Sequence, residues 1–155
     1  MTKKEALSLA KQLDDPIFQS FIEGPEYTID LFIGNDKKVK GCVARKRLLV
    51  VDGESQITET VTNKPLEELC KKLALKLDLR GHIIFQAIEE AFTGSYWIIE
   101  CNPRFGGAST LAIKAGLDSF CWFFHEVLND KLPPFKRASH EIKMVRHATD
   151  TSFNL

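Results

Sequence analysis

The chain has 155 residues, 44% of them hydrophobic, and its 21 Lys plus Arg are balanced by 21 Asp plus Glu. That length suits one domain with a substantial core, burying roughly 68–70% of its unfolded surface. Balanced charge supplies no global field to draw nucleic acid or a membrane surface, and no apolar run approaches the ~20 residues needed to span a bilayer.

Taken in chain order, residues 2–14 are expected to form one amphipathic helix with Leu7, Leu9, Ala10 and Leu13 as its apolar stripe. Strands are expected near 17–22, 27–34 and 38–51, the last two joined by an exposed turn at Gly34-Asn35-Asp36-Lys37. A polar turn, Asp52-Gly53-Glu54-Ser55, precedes a strand over 57–61. Pro65 then opens a helix to residue 78, with Leu66, Leu69, Leu73 and Leu77 on one face. A hairpin follows over 80–101, turning at Phe92-Thr93-Gly94-Ser95. Ser109-Thr110 are expected to cap a short helix over 111–115 that Gly116 stops. A helix over 119–129 carries Phe120, Trp122, Phe123 and Phe124, read as core or lobe contact rather than a stacking platform for bases. Pro133-Pro134 end it, and a last strand is expected over 142–145. These elements give an α+β fold, a mainly antiparallel sheet with flanking helices, as a single domain over 1–155 with its core over 15–128 and a tail over 129–155.

The run Ile98-Ile99-Glu100-Cys101-Asn102-Pro103-Arg104-Phe105-Gly106-Gly107 carries the densest chemistry. Strand side chains alternate faces, so Glu100 and Asn102 point one way and Cys101 the other. Pro103 has no N–H to donate and ends the ladder, and Arg104 follows at the mouth of a glycine-freed loop. Oxygen donors select a hard cation such as Mg²⁺ or Mn²⁺, while a guanidinium recognises phosphate as a planar fork. Folding the hairpin about Thr93 sets Gln86 opposite, or nearly opposite, Glu100, with Cβ atoms roughly 4.5–5.5 Å apart. Gln86, Glu100 and Asn102 can then offer three oxygens to one metal cluster, whereas a one-residue slip would turn Gln86 to the wrong face. Glu89 and Glu90 read as solvated residues near the strand end.

Gln86 followed by Glu100-Cys101-Asn102-Pro103-Arg104 resembles the ATP-grasp superfamily, and in particular the ATP-binding lobe of carbamoyl-phosphate synthetase large subunits and related carboxylate ligases. The segment Phe18-Gln19-Ser20-Phe21-Ile22-Glu23-Gly24-Pro25-Glu26-Tyr27-Thr28-Ile29-Asp30 is similar to the same lobe, and the likeness runs from about residue 15 to about residue 128. The resemblance implies that Gln86, Glu100 and Asn102 hold the Mg²⁺ ions bridging ATP phosphates. It implies that Arg104 contacts the terminal phosphate or the acyl phosphate formed from it, and that Glu26 accepts hydrogen bonds from the ribose. Arg45 and Arg47 would face the phosphates or the carboxylate substrate. Their spacing puts both on one strand face, and for these two a solvated strand edge kept from aggregating by charge reads equally, whereas Lys37, Lys38 and Lys40 read as that solvated edge beside the exposed turn.

The implied activity is ATP- and Mg²⁺-dependent ligation at a carboxylate or carbonate through an acyl phosphate. ATP-grasp proteins clamp nucleotide between two lobes, and this chain is expected to represent the second, with the first absent. A separate polypeptide, a missing upstream segment or self-association would complete the clamp. The competing reading is a non-catalytic nucleotide-binding or regulatory module on the same fold, and a third is an unrelated metal-binding α+β domain. Cys42, Cys70, Cys101 and Cys121 lack metal-ligand spacing and read as reduced core residues in a cytoplasmic protein. His82, His125, His140 and His147 likewise show no ligand spacing and read as structural or exposed.

Overall fold

Alternating apolar and polar residues pair six strands into one antiparallel sheet in this computed structural model, which describes residues 2–147, 149 and 152. The strands are β1 (Glu26–Ile33), β2 (Val39–Val51), β3 (Glu54–Val61), β4 (Gly81–Glu89), β5 (Tyr96–Asn102) and β6 (Lys143–Val145). They lie side by side as β5-β4-β1-β2-β3-β6. The helices are α1 (Lys3–Ala10), α2 (Lys64–Lys76), α3 (Ser109–Lys114) and α4 (Ser119–Val127). The expected α+β architecture is what forms. The far end of the 129–155 tail lies outside the described residues.

The period of two sorts β1 into two faces. Tyr27, Ile29, Leu31 and Ile33 join Cys42, Ala44, Ile83, Phe85 and Ala87 under α2, where Leu66, Cys70 and Ala74 close the core. On the opposite face Phe32 and Val43 pack with Ala112, Ala115, Leu117 and Trp122 of the α3–α4 region. That second core covers one end of the sheet. Thr28, Asp30, Arg45, Ile84 and Gln86 share its face.

Four local expectations need correction. Residues 17–22 form no strand and Ile17, Phe18 and Phe21 stay exposed; a bond towards the sheet comes only at Glu23, whose carbonyl accepts from Ala91 N–H. The first helix stops at Ala10 and buries none of its residues, so its apolar stripe has nothing to pack against. The buried face of α2 is Leu66, Glu67, Cys70 and Ala74, because Leu69 and Leu77 turn outward to 39% and 53% exposure. The β2–β3 turn is only Asp52-Gly53, both at positive φ as a type I′ turn requires, so β3 already begins at Glu54.

Candidate functional site

The β4–β5 register sets Gln86 opposite Glu100 and Ile84 opposite Asn102. A bulge between Gln86 and Ala87 shifts the rest of the ladder, yet the three polar residues share a face as the hairpin argument required. Gln86 Nε2 donates to Glu100 Oε2 at 2.6 Å, and Arg47 Nη1 donates to Gln86 Oε1 at 2.6 Å. Arg47 also reaches Glu26 Oε2 at 3.0 Å, Ser55 Oγ at 3.0 Å and the Gly53 carbonyl at 2.7 Å. One guanidinium thus ties the starts of β1 and β3 to β4, and Glu26 meets the cavity side through it.

Arg45 lies deeper. Its Nε and Nη2 both reach Asp30 Oδ2 at 2.7 Å, with the Arg45 and Asp30 side chains 2% and 0% exposed. Ser109 Oγ donates to Asp30 Oδ1 at 2.7 Å, and His82 Nε2 stands 3.3 Å from the same oxygen. His82 Nδ1 meets Ser119 Oγ at 2.9 Å, and the imidazole stacks on Phe105, which stacks on Phe120. Burial opposes ionisation of Asp30, but Arg45, with hydrogen bonds from His82 and Ser109, outweighs it and holds the carboxyl below its ordinary range. Ser109 is therefore no helix cap: its hydroxyl donates to Asp30 and accepts from Gly106 N–H at 3.0 Å, while Ala108 occupies the N-cap without a side-chain bond.

These groups surround a cavity of about 130 Å³, lined by Thr28, Arg45, Arg47, Gln86, Asn102 and Arg104. A water needs only about 10–15 Å³ of such space, so the cavity admits a substantial polar group. Its rim is Gly53–Ser55 from the β2–β3 turn, Gly106–Ala108 after Arg104, and Arg146 beyond β6. Glu100 stands just outside the lining, bonded to Gln86. Arg104 is exposed, and its Nη1 contacts its own loop at the Phe105 carbonyl, 3.2 Å away. The structure thus brings Gln86, Glu100, Asn102, Arg45, Arg47, Glu26 and Arg104 into one neighbourhood.

Some residues fall elsewhere. Glu89 points to the α2 side, where it accepts from Tyr27 Oη at 2.8 Å; burial and that carboxylate push the phenol up to about 12. Cys101 also points away from the motif, but it is exposed on edge strand β5 rather than in the core, and Cys121 is only half-buried. His82 is structural, as its lack of ligand spacing suggested. Asp30, Ser109 and Arg146 escaped the sequence reading. Asp30 had a usable signal, a charge in the interior of a mostly apolar strand, on the face of Thr28 and Glu26. Arg146 had none, since only the β3–β6 pairing brings it to the rim.

The donor chemistry fits a hard cation. Among the described residues no group of three or more His, Cys, Asp or Glu could hold a metal. One carboxylate and two amide groups suit Mg²⁺, which binds through few protein oxygens and completes its shell with phosphates and water. No helix of the described residues is long and apolar enough to cross a membrane.

Known folds share this arrangement. N5-carboxyaminoimidazole ribonucleotide synthetase from Thermus thermophilus superposes with a TM-score of 0.72 at 19% identity, over 93% of this chain and 42% of that one. The phosphoribosylaminoimidazole carboxylase ATPase subunit of Aquifex aeolicus gives 0.61 at 17% identity, over 74% and 36%. Biotin carboxylase from Campylobacter jejuni, solved as a complex named for β-γ-ATP, gives 0.60 at 14% identity, over 74% and 28%. The chain spans less than half the length of each, and at these identities the likeness is one of fold. None of the three is a carbamoyl-phosphate synthetase, so they lend no support to that narrower resemblance. No curated protein sequence matches the chain. The family described as "ATP-grasp in the biosynthetic pathway with Ter operon" matches residues 12–150, nearly the whole chain, and the protein belongs to this ATP-grasp family.

Proposed function

We propose that the chain is the metal- and phosphate-binding lobe of an ATP-dependent ligase that activates a carboxylate or carbonate as an acyl phosphate. The observation that carries this reading is the line Arg47–Gln86–Glu100, with Asn102 on the same face and Arg104 beside the same cavity. Phosphoryl transfer to a carboxylate brings two anions together. Unit charges 4 Å apart interact by about 1 kcal/mol in water and about 4 kcal/mol at an effective dielectric near 20. The protein's task is therefore to cancel charge and position groups.

Gln86, Glu100 and Asn102 would hold Mg²⁺, whose chemistry is to neutralise bridging phosphate oxygens. To act as a ligand, Gln86 must turn its Oε1 away from Arg47, which releases that guanidinium for an anion. Arg104 supplies a fork for the terminal phosphate, and Glu26 an acceptor for ribose hydroxyls once Arg47 lets it go. A first lobe, on a further segment of the same protein or on a separate chain, or a second copy, would supply the other wall of the clamp.

Calorimetric titration with a non-hydrolysable ATP analogue tests this reading. Binding should require Mg²⁺, and Glu100→Ala should weaken it by at least ~10-fold with the circular dichroism unchanged. Losing a bond to a charged group costs about 1.5–3 kcal/mol, and every 1.4 kcal/mol is tenfold. A Glu100→Ala chain that binds as tightly as wild type would falsify the metal assignment.

A further inference from the structure

Strand β2 outruns its partner β3. Their ladder starts at Ala44, opposite Val61, so residues 39–43 have β1 on one side and no strand on the other among the described residues. After Val61 the chain leaves the sheet for α2, and the tail beyond α4 returns past the open edge. Three bonds fix it there. Trp122 Nε1 donates to the Pro133 carbonyl at 2.9 Å, Ala138 N–H to the Ala115 carbonyl at 2.9 Å, and Arg137 Nη2 to the Val61 carbonyl at 2.7 Å. At Gly41 a Cβ would stand 2.7 Å from Leu117 and 3.0 Å from Phe135, so the missing side chain lets the tail close against the strand.

Between α2, the strand edge and the tail lies a cavity of about 260 Å³, twice the volume of the one on the sheet face and sharing none of its lining. Val39, Cys42 and Phe135 make apolar walls, and Lys40, Lys71 and Arg137 set three cations against one anion, Glu67. A β-bulge brings Lys40 there. Phe32 pairs with Gly41 and Ile33 with Val39, which leaves Lys40 as the extra residue, and bulges re-aim side chains in this way. The Lys40 and Lys71 side chains are 22% and 28% exposed, whereas their partners Asp36 (2.6 Å) and Glu68 (2.8 Å) are 45% and 58% exposed. Each lysine thus lies against the cavity while its carboxylate stands in solvent, a kind of pair that holds weakly. Burial opposes the charge on Lys71, but the bond from Glu68 outweighs it and holds the ammonium above its ordinary range. Arg137 is committed: its fork is spent on Glu67 at 2.8 Å and on the Val61 carbonyl, so it adds fixed charge rather than free donors.

We infer that this cavity is a second ligand site, built for a small phosphate monoester with an apolar body. Two ammonium groups act as point charges and match a compact dianion from any orientation. A planar carboxylate is better met by a guanidinium fork, and the fork present is already taken. The body of the ligand covers Val39, Cys42 and Phe135, while its phosphate replaces Asp36 and Glu68 at the two lysines. The site lies apart from the Gln86–Glu100 motif, so it stands whether or not the chain binds nucleotide.

Phenyl phosphate is the probe, titrated into the ¹⁵N-labelled full chain at constant ionic strength while backbone amides are followed. Inorganic phosphate controls for the body and phenylacetate for the head. Saturable shifts at Gly41, Cys42 and Lys71 are expected, with phenyl phosphate bound several-fold tighter than either control. Lys40→Met and Lys71→Met keep the apolar stem and should each weaken binding about tenfold, since each removes a bond to a charged group. Glu68→Gln changes only an exposed side chain and should tighten binding several-fold by freeing Lys71, which a merely structural lysine would not do. The absence of shifts at Gly41, Cys42 and Lys71 overturns the inference, as do shifts confined to Gln86 and Asn102. An affinity unchanged in both lysine variants, or in Glu68→Gln, overturns it too. Phenylacetate binding as tightly removes the phosphate, and inorganic phosphate binding as tightly removes the apolar body; either result sinks the assigned ligand class.

Discussion

Burial alone would drive Asp30 towards its neutral form, yet Arg45 2.7 Å away keeps it charged at the centre of the sheet. The folded carboxyl is held below its unfolded value near 3.9. Its contribution to stability is therefore complete above about pH 4 and lost as pH falls through the lowered folded value. Asp30→Asn is expected to cost about 3–5 kcal/mol at pH 7, because Arg45 would be left as a buried unpaired charge. The gap between variant and wild type should shrink as pH falls below about 4, which urea midpoints across the acid range would show. An equal gap at pH 7 and pH 3 would mean that the charge on Asp30 is not what holds the pair. At this scale the sequence was a good guide to motif residues and a poor one to their supports. Glu100, Asn102 and Gln86 announce themselves by alternation and by the turn between them. Ser109 reads as a helix cap because its local sequence suits one, and only the tertiary contact with Asp30 diverts its hydroxyl.

The elements were legible wherever two independent signals agreed. The β4–β5 hairpin has both apolar runs and turn residues, and its register came out as the polar face demanded. Asp52-Gly53 is a two-residue turn of the kind whose twist suits a hairpin, which is why β3 starts earlier than its apolar pattern suggested. Helix α2 shows where one signal misleads. Leucine spacing alone offered a face of Leu66, Leu69, Leu73 and Leu77, but the sheet selects the neighbouring stripe with the smaller Cys70 and Ala74, which lets the helix approach closely. Leu66→Ala is accordingly expected to cost about 2–5 kcal/mol, and Leu77→Ala, at a half-exposed position, well under half of that. Chemical denaturation of the two variants side by side distinguishes the stripes, and equal losses would restore the leucine face.

Across the whole molecule, apolar surface is distributed unevenly. Leu7, Leu9, Leu13, Ile17, Phe18 and Phe21 are all exposed, and α1 adds no buried residue. Helical periodicity can report an amphipathic stripe but not whether anything covers it, so this stretch was the least legible part of the fold. Removing residues 2–14 should shift the thermal midpoint by less than about 2 °C, since 1 kcal/mol corresponds to about 2–4 °C for a chain of this size. A larger drop in a thermal scan would show that α1 supports the sheet after all. The order of the strands carries a different lesson. β1, β2 and β3 follow one another through tight turns, and β4 with β5 closes a second hairpin, both motions of the microsecond kind. The seam between β1 and β4 is not local: the Tyr27–Glu89 bond spans 62 residues of chain. Docking of two preformed ribbons along that seam should set the folding rate. Arg47 and Gln86 sit on opposite sides of it. The cavity is consequently expected to form with that docking step, so that its appearance in a refolding experiment would time the closing of the seam.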